Sequence, residues 1–269
     1  MGENLAGVTT DPDLLARLVA EARLDMERRR ALITTEEHER AIHDYAPKDF
    51  AGALRRPGLA VIAEMKQRTP SMGVLTEEYR PNDLARAYSD GGAAAISVLT
   101  HMAGFGGRPE HVAVARLATD LPILRKDFIT DPYEIGEARA AGADAVLLIV
   151  AALPGDELRR LLAVVRSRGL SALVEVHTHD EAIAAVEAGA PVIGVNHRDL
   201  RTFEVDLGLT EKLRPVIPGG VLVVSESGIR SVDDARRMRE AGADAILVGE
   251  MLMRAPDPVA CLRDLTSIS

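Results

Sequence analysis

Gly142-Ala143-Asp144-Ala145-Val146-Leu147-Leu148 is one of four copies of a single phrase, in which a helix-like stretch ends at Gly-Ala and an apolar run begins. The others are Gly92-Ala93 into Ala95-Ile96-Ser97-Val98, Gly189-Ala190 into Val192-Ile193-Gly194-Val195, and Gly242-Ala243 into Ala245-Ile246-Leu247-Val248. Glycine suits the left-handed residue that ends a helix, and a β-branched run suits a strand buried on both faces. Successive copies lie about 50 residues apart, twice the length of one β/α unit, so a further strand is expected within each interval. Leu121 to Asp127, Leu170 to Glu175 and Val221 to Ser225 supply these, and Leu59 to Glu64 precedes them all. The intervening segments, such as Asp156 to Arg168 and Asp233 to Ala241, read as amphipathic helices.

Eight alternating β and α elements over roughly 200 residues fit a closed (β/α)8 TIM barrel of the α/β class better than a doubly wound open sheet. The open sheet's dinucleotide signal, a Gly-rich turn after the first strand, is missing: Glu64 is followed by Met65-Lys66-Gln67-Arg68-Thr69-Pro70. Helical patterns at Pro12 to Arg30 and Thr35 to His43 fall outside the eight units. The expectation is one domain over residues 1–269, with residues 1–55 as an N-terminal helical extension packed on the barrel. A chain of 269 residues that is 47% hydrophobic can bury a core of that size.

A net charge of −9 opposes broad attraction to nucleic acid or anionic lipid, and 3% aromatics with no Trp leave few platforms for stacking bases. Met1 to Thr10 lacks a basic stretch followed by an apolar run, and no segment approaches the roughly twenty apolar residues of a membrane helix. The expectation is a cytoplasmic protein without nucleic-acid or membrane partners, monomeric or a weak homo-oligomer. Cys261 is the only cysteine, so an internal disulfide or a cysteine-rich metal site is precluded, and burial near the C-terminal helix is its expected place.

Barrel enzymes carry their chemistry at the C-terminal ends of the strands. Here strand one ends in Glu64 and Lys66, strand three in Lys126 and Asp127, strand five in Glu175, strand six in Asn196 and Arg198, and strand seven in Ser225, Glu226, Ser227 and Gly228. Residues two apart on a strand point the same way, so Glu64 with Lys66, Asn196 with Arg198, and Ser225 with Ser227 could project together. A rim salt bridge would account for any one pair; five strand ends delivering ionisable groups is the pattern of an active face. Lys126 follows Pro122-Ile123-Leu124, and a lysine there needs a carboxylate or a substrate anion, with Glu175 and Glu64 as the obvious partners. Such groupings separate acids from bases, which makes Lys126 a candidate general acid and Glu175 a candidate base. The loops after strands seven and eight, Ser227-Gly228 and Gly249-Glu250, can aim backbone N–H groups at a phosphate, although an inward Glu250 side chain would repel it.

Other signals read as structural. Glu175, His177 and His179 alternate like a metal face, but Thr178-His179-Asp180 looks like a helix cap, so no metal is assigned. His101 and His111 read as loop or surface residues, and Glu27-Arg28-Arg29-Arg30 as a solvated helix face.

Taken in order, Glu64-x-Lys66-x-x-Thr69-Pro70-Ser71-x-Gly73, Ser97-Val98-Leu99-Thr100, Leu124-Arg125-Lys126-Asp127-Phe128, Gly142-Ala143-Asp144, Glu175-Val176-His177, Ile193-Gly194-Val195-Asn196-x-Arg198-Asp199-Leu200 and Ser225-Glu226-Ser227-Gly228-Ile229 resemble the indole-3-glycerol phosphate synthase family from about Leu59 to Met253. The resemblance implies conversion of 1-(2-carboxyphenylamino)-1-deoxyribulose 5-phosphate to indole-3-glycerol phosphate with loss of CO2 and water, in tryptophan biosynthesis and without a cofactor. It implies Lys126 as the acid that protonates the ketone and Glu175 as the group that stabilises the cationic intermediate and acts as base. Lys66 and Glu64 would assist dehydration, Asn196, Arg198, Glu226 and Ser227 would orient substrate, Gly228, Gly249 and Glu250 would lie near the phosphate, and Phe105 and Phe128 would wall the aromatic ring.

Departures from the family pattern cluster in the first two β/α loops. Thr69 replaces a serine next to the expected substrate, His101 an acidic residue and Met72 a lysine, and Phe105-Gly106-Gly107-Arg108 replaces Phe-x-Gly-Ser. A paralogue acting on a modified aryl-amino sugar phosphate, a Schiff-base phosphosugar aldolase using Lys126 or Lys66, and a non-catalytic phosphate-ligand barrel therefore stand as alternatives.

Overall fold

A computed structural model describes residues 13–42, 46–70, 72–199 and 201–269. Eight parallel strands close a barrel: β1 (Ala60–Met65), β2 (Ala95–Leu99), β3 (Ile123–Lys126), β4 (Ala145–Ile149), β5 (Ser171–Val176), β6 (Val192–Asn196), β7 (Leu222–Glu226) and β8 (Ala245–Val248). Each pairs with its successor, and Ala60 to Ala63 pair with Ala245 to Val248 to close the cylinder. Helices separate the strands, as the repeated phrase requires, and its four glycines, Gly92, Gly142, Gly189 and Gly242, all have left-handed φ between 78° and 89°. The third strand starts two residues later than expected because Pro122 has no N–H to donate, although its carbonyl accepts from Ile96 N at 2.9 Å. A short antiparallel hairpin, Arg68–Thr69 with Gly73–Val74, follows β1 outside the barrel.

Alternation along each strand divides the core in two. Val61, Ala63, Val146, Leu148, Val174 and Val223 face outward beneath the helices, whereas Ala60, Ile62, Leu124, Leu147, Leu173 and Val224 fill the interior. Continuing the inward series by one step on six of the strands gives Glu64, Lys126, Glu175, Asn196, Glu226 and Gly249, while on β4 it gives the apolar Ile149. Apolar layers therefore fill the lower cylinder, and a polar layer crowns it at the C-terminal mouth.

The N-terminal segment closes both ends. Helix α1 (Leu14–Leu32) buries Leu14 and Leu18 in the interior cluster that includes Phe128 and Leu147, so it lies across the mouth. Phe50 and Leu54 of α3 (Phe50–Leu54) join Ala60, Ala95 and Ala145, the first residues of their strands, at the opposite end. Between them α2 (Thr35–Ala41) opens on a capping box formed by Thr34 and Glu37. Pro12 and His43, the outer limits expected for the first two helices, lie outside the described residues, as do the motif residues Ser71 and Leu200.

Arg29 departs from the solvated face expected of it. Its Nε donates to Glu137 at 2.7 Å, and the other Glu137 oxygen accepts from the fully buried Arg125 at 2.7 Å. Arg30 pairs with Asp131 and stands 5.0 Å over the Tyr133 ring. This chain ties α1 to β3, the strand that carries Lys126. Among the described residues no helix is long and apolar enough to cross a membrane.

Candidate active site

The polar layer is organised around one ammonium group. Lys126 Nζ donates to Glu175 Oε2 at 3.0 Å and to Glu226 Oε2 at 2.9 Å, while Lys66 pairs with Glu64. All three carboxylates are buried, with exposures of 3% or less. Burial alone would discharge Lys126, but Glu175, Glu226 and Glu64 outweigh it and raise its pKa well above the usual lysine range. Burial pushes Glu175 upward, whereas Lys126, His177 and hydrogen bonds from Asn196 and Lys126 more than offset this, leaving it below the ordinary glutamate value. Glu226 is the opposite case: burial and the neighbouring Glu175 prevail over Lys126 and push it up to about 7. Its second oxygen, Oε1, is buried without a hydrogen-bond partner among the described residues. The site therefore separates a firmly charged acid, an ionised base and a carboxyl group poised near neutrality.

Two glycines make room for this layer. A Cβ at Gly194 would collide with Glu226 Oε1, and one at Gly249 would collide with Glu64 Oε1 and lie 3.1 Å from Lys66 Nζ. Glycine in β6 and after β8 is thus a requirement of carboxylates projecting from neighbouring strands.

Above the layer opens a cavity of about 580 Å³. Of the residues expected to form the site, Glu64, Lys66, Thr69, Phe105, Lys126, Phe128, Glu175, Asn196, Arg198, Ser227, Gly228, Gly249 and Glu250 line it. Glu226 does not; it lies beneath the floor, in contact with Lys126. Phe105 and Phe128 form one wall with ring centroids 6.5 Å apart, and Leu14 and Leu18 of α1 contribute to the same enclosure. Thr69 Oγ1 accepts from Met72 N at 3.1 Å, while the Met72 side chain is exposed.

His101 lies in the loop after β2, as expected, but not at the surface. It is buried, its Nδ1 accepts from Gly104 N at 3.1 Å, and its ring packs edgewise against Phe128 at 5.1 Å and Phe105 at 6.2 Å. Burial lowers its pKa, so the ring backing the aromatic wall is neutral. His179, by contrast, is exposed at the first position of the helix His179–Glu187, capped by Thr178, with its Nδ1 3.7 Å from Asp180.

The other end of the cavity is cationic. Arg198, Arg230 and Arg254 line it together with Ser227, Gly228 and Gly249. Arg230 and Arg254 were not singled out from the sequence, because both lie in helix-proximal segments where arginine ordinarily reads as surface. Ser227 and Gly228 both have positive φ, 68° and 80°. Beneath them His197, also missed, anchors the turn: its Nδ1 donates to the Ser227 carbonyl at 2.9 Å, leaving Nε2 to accept from Thr210 Oγ1 at 2.8 Å. Thr210 in turn lies 2.8 Å from Ser225 Oγ. Glu250 lies 3.6 Å from Arg254 and faces Arg198, so its charge is engaged by the guanidinium groups at this end.

A family model described as indole-3-glycerol phosphate synthase matches residues 15–265. Among curated relatives, "Indole-3-glycerol phosphate synthase 2" of Streptomyces coelicolor is 59% identical over 94% of this chain and 98% of its own length. An indole-3-glycerol phosphate synthase of Mycobacterium sp. (strain KMS) is 48% identical over 94% of each chain. Of solved structures, a thiamine phosphate pyrophosphorylase from Pyrococcus furiosus aligns with a TM-score of 0.61 at 21% identity, covering 81% of this chain and 96% of that one. An N-acetylmannosamine-6-phosphate 2-epimerase from Clostridium perfringens gives 0.59 at 17%, covering 78% and 92%. Both structures are similar in fold alone.

Proposed function

The chain belongs to the indole-3-glycerol phosphate synthase family, and on that premise we propose how its barrel mouth divides the labour of closing an indole ring on a phosphorylated sugar. The substrate, 1-(2-carboxyphenylamino)-1-deoxyribulose 5-phosphate, lies with its aromatic ring against Phe105 and Phe128 and its phosphate toward Gly228, Gly249 and Arg198. The ring carbon bearing the carboxylate attacks the ketone carbon, and Lys126 delivers a proton to the ketone oxygen. Departure of CO2 returns the bonding pair to the ring and restores aromaticity. Lys66, held by Glu64, then protonates the new hydroxyl, which leaves as water, while Glu175 removes a proton from the carbon beside nitrogen. Asn196 orients Glu175 through their hydrogen bond, Ser227 orients the sugar, and Glu226 holds Lys126 from below. This is positioned proton transfer with charge stabilisation in a partly dehydrated pocket, requiring no cofactor.

The observation that carries this reading is Lys126 gripped by two buried carboxylates under a cavity with one aromatic and one cationic end. It also weighs against Lys126 as the nucleophile of the aldolase alternative, because a Schiff base needs a neutral amine and these carboxylates keep Lys126 charged. The acidic chain acts on a small phosphorylated molecule, in the cytoplasm, as a monomer or weak homo-oligomer without nucleic-acid partners. Incubation with the carboxyphenylamino substrate is expected to produce indole fluorescence and no adduct on borohydride reduction. Folded protein that yields no fluorescence, or that is trapped covalently by borohydride, would overturn the assignment.

A further inference from the structure

The turn at the cationic end of the cavity contains a residue in a conformation it does not favour. Ser227 has φ 68°, a left-handed backbone that a serine keeps only where its surroundings impose it. One neighbour does so. His197, the first residue after β6, donates its backbone N–H to the Glu226 carbonyl at 3.0 Å and its ring Nδ1–H to the Ser227 carbonyl at 2.9 Å. Two consecutive carbonyls at the end of β7 are therefore held by a single residue, whose own carbonyl is fixed by Asp206 N at 3.0 Å.

The imidazole can bond in only one way. A carbonyl only accepts, so Nδ1 carries the proton; Nε2 then accepts from Thr210 Oγ1 at 2.8 Å, and Thr210, its proton thus engaged, accepts from Ser225 Oγ at 2.8 Å. Burial holds the ring below the ordinary histidine pKa and so in this neutral form.

The consequence lies on the other side of the peptide. The Ser227 carbonyl and the Gly228 N–H belong to one planar trans peptide and point in opposite directions. His197 stands outside the substrate cavity, against a separate hollow of about 1190 Å³, whereas Ser227 and Gly228 line the cavity itself. A carbonyl drawn outward to His197 turns the Gly228 N–H inward, where it meets no acceptor among the described residues. Arg198, Arg230 and Arg254 supply positive charge to this end of the cavity, and the N–H adds a fixed direction.

Resting on the function proposed above, we propose that His197 is the positioning residue for the substrate's phosphate: through the Ser227–Gly228 peptide it aims the Gly228 N–H and so sets phosphate affinity, touching no substrate itself. Without the imidazole, Ser227 is free to leave the left-handed region, the peptide rotates and the N–H no longer faces the anion. Asparagine carries an N–H as many bonds from Cβ as Nδ1 and keeps the carbonyl bond; leucine fills the space without a donor.

The test compares His197→Leu and His197→Asn with wild-type enzyme. In His197→Leu, KM for the phosphorylated substrate and the inhibition constant of inorganic phosphate are expected to rise at least about tenfold with kcat within about threefold, as for the loss of one hydrogen bond to a charged group. The inhibition constant of 2-aminobenzoate, the aromatic fragment without phosphate, should stay within about twofold, and His197→Asn should return both phosphate-dependent constants to within about threefold of wild type. Unchanged phosphate constants in folded His197→Leu, an equal loss for 2-aminobenzoate, or failure of His197→Asn to restore binding would overturn the proposal. Where leucine prevents folding, NMR of nitrogen-labelled histidine and glycine in wild-type protein decides it. The His197 ring should carry its proton on Nδ1 and the Gly228 amide should shift on addition of inorganic phosphate; a proton on Nε2, or an unmoved Gly228 amide, would refute the positioning role. If wild-type enzyme forms no indole product, the underlying function fails alone, and calorimetric Kd values for inorganic phosphate, with the same pattern expected across the three proteins, still decide the role of His197.

Discussion

Glu226→Gln is expected to make the protein more stable, and only at neutral and alkaline pH. In the folded protein burial holds the Glu226 carboxyl at about 7 against a reference value of 4.5, with Oε1 buried and unpartnered among the described residues. A group whose folded pKa is raised contributes stability that is fully present below its unfolded pKa and lost as pH rises through the folded one. The window here runs from about pH 4.5 to above 7. The gap of roughly 2.5 units at about 1.4 kcal/mol each costs wild type about 3 kcal/mol by pH 8. Glutamine imitates the protonated form, including its unpartnered atom, so the variant should be spared that cost. Urea unfolding should find it about 3 kcal/mol more stable than wild type at pH 8 and only about 1 kcal/mol more stable at pH 5. Activity should fall, because Lys126 loses one of its two carboxylates. A variant that is less stable than wild type at pH 8, or whose advantage does not grow from pH 5 to pH 8, would refute the placement beneath the lysine of a carboxyl whose burial outweighs its ion pair.

Gly249→Ala brings a methyl group onto the Glu64 carboxylate beside Lys66; kcat/KM is expected to drop at least about tenfold from misplaced groups, with stability lowered by only about 1–3 kcal/mol. Normal kinetics there would show that the Glu64–Lys66 pair is not used. Asp144 is fully buried at the opposite end of the barrel, accepting from Lys48 N at 2.7 Å, Ile123 N at 2.7 Å and Arg116 Nη1 at 2.8 Å. Asp144→Ala should therefore cost about 3–5 kcal/mol on denaturant unfolding while kcat at low temperature stays within twofold of wild type; a selective loss of kcat would contradict the separation of stability and chemistry between the two ends. Phe128→Ala removes half of the aromatic wall and is expected to raise KM more than it lowers kcat.

Most of the barrel was legible because its glycines do local work that a sequence displays: each Gly-Ala phrase ends a helix in a left-handed residue and starts a strand. The polar crown was legible for a related reason, since Glu64, Lys126, Glu175 and Asn196 each terminate an apolar alternation and continue its inward face. What escaped depends on contacts between distant segments. Nothing local marks Gly194 as the space left for Glu226, a pairing set by the register of β6 against β7. The amphipathic pattern of α1 gives it a buried face but not a destination, so neither its position across the mouth nor the partner of Arg29 could be read. The burial of the loop residue His101 escaped because a ring that covers it belongs to Phe128, one β/α unit later. His197 carries no motif; its role appears only when Thr210 and Ser227 meet around it.

Steady-state formation of indole-3-glycerol phosphate from the carboxyphenylamino substrate, by wild type and by Lys126→Ala, tests the central claim most directly. Wild type should turn over, and the variant should retain its fold while kcat falls at least about a hundredfold, the range for losing a positioned general acid. A folded Lys126→Ala variant with near-normal turnover would contradict the account.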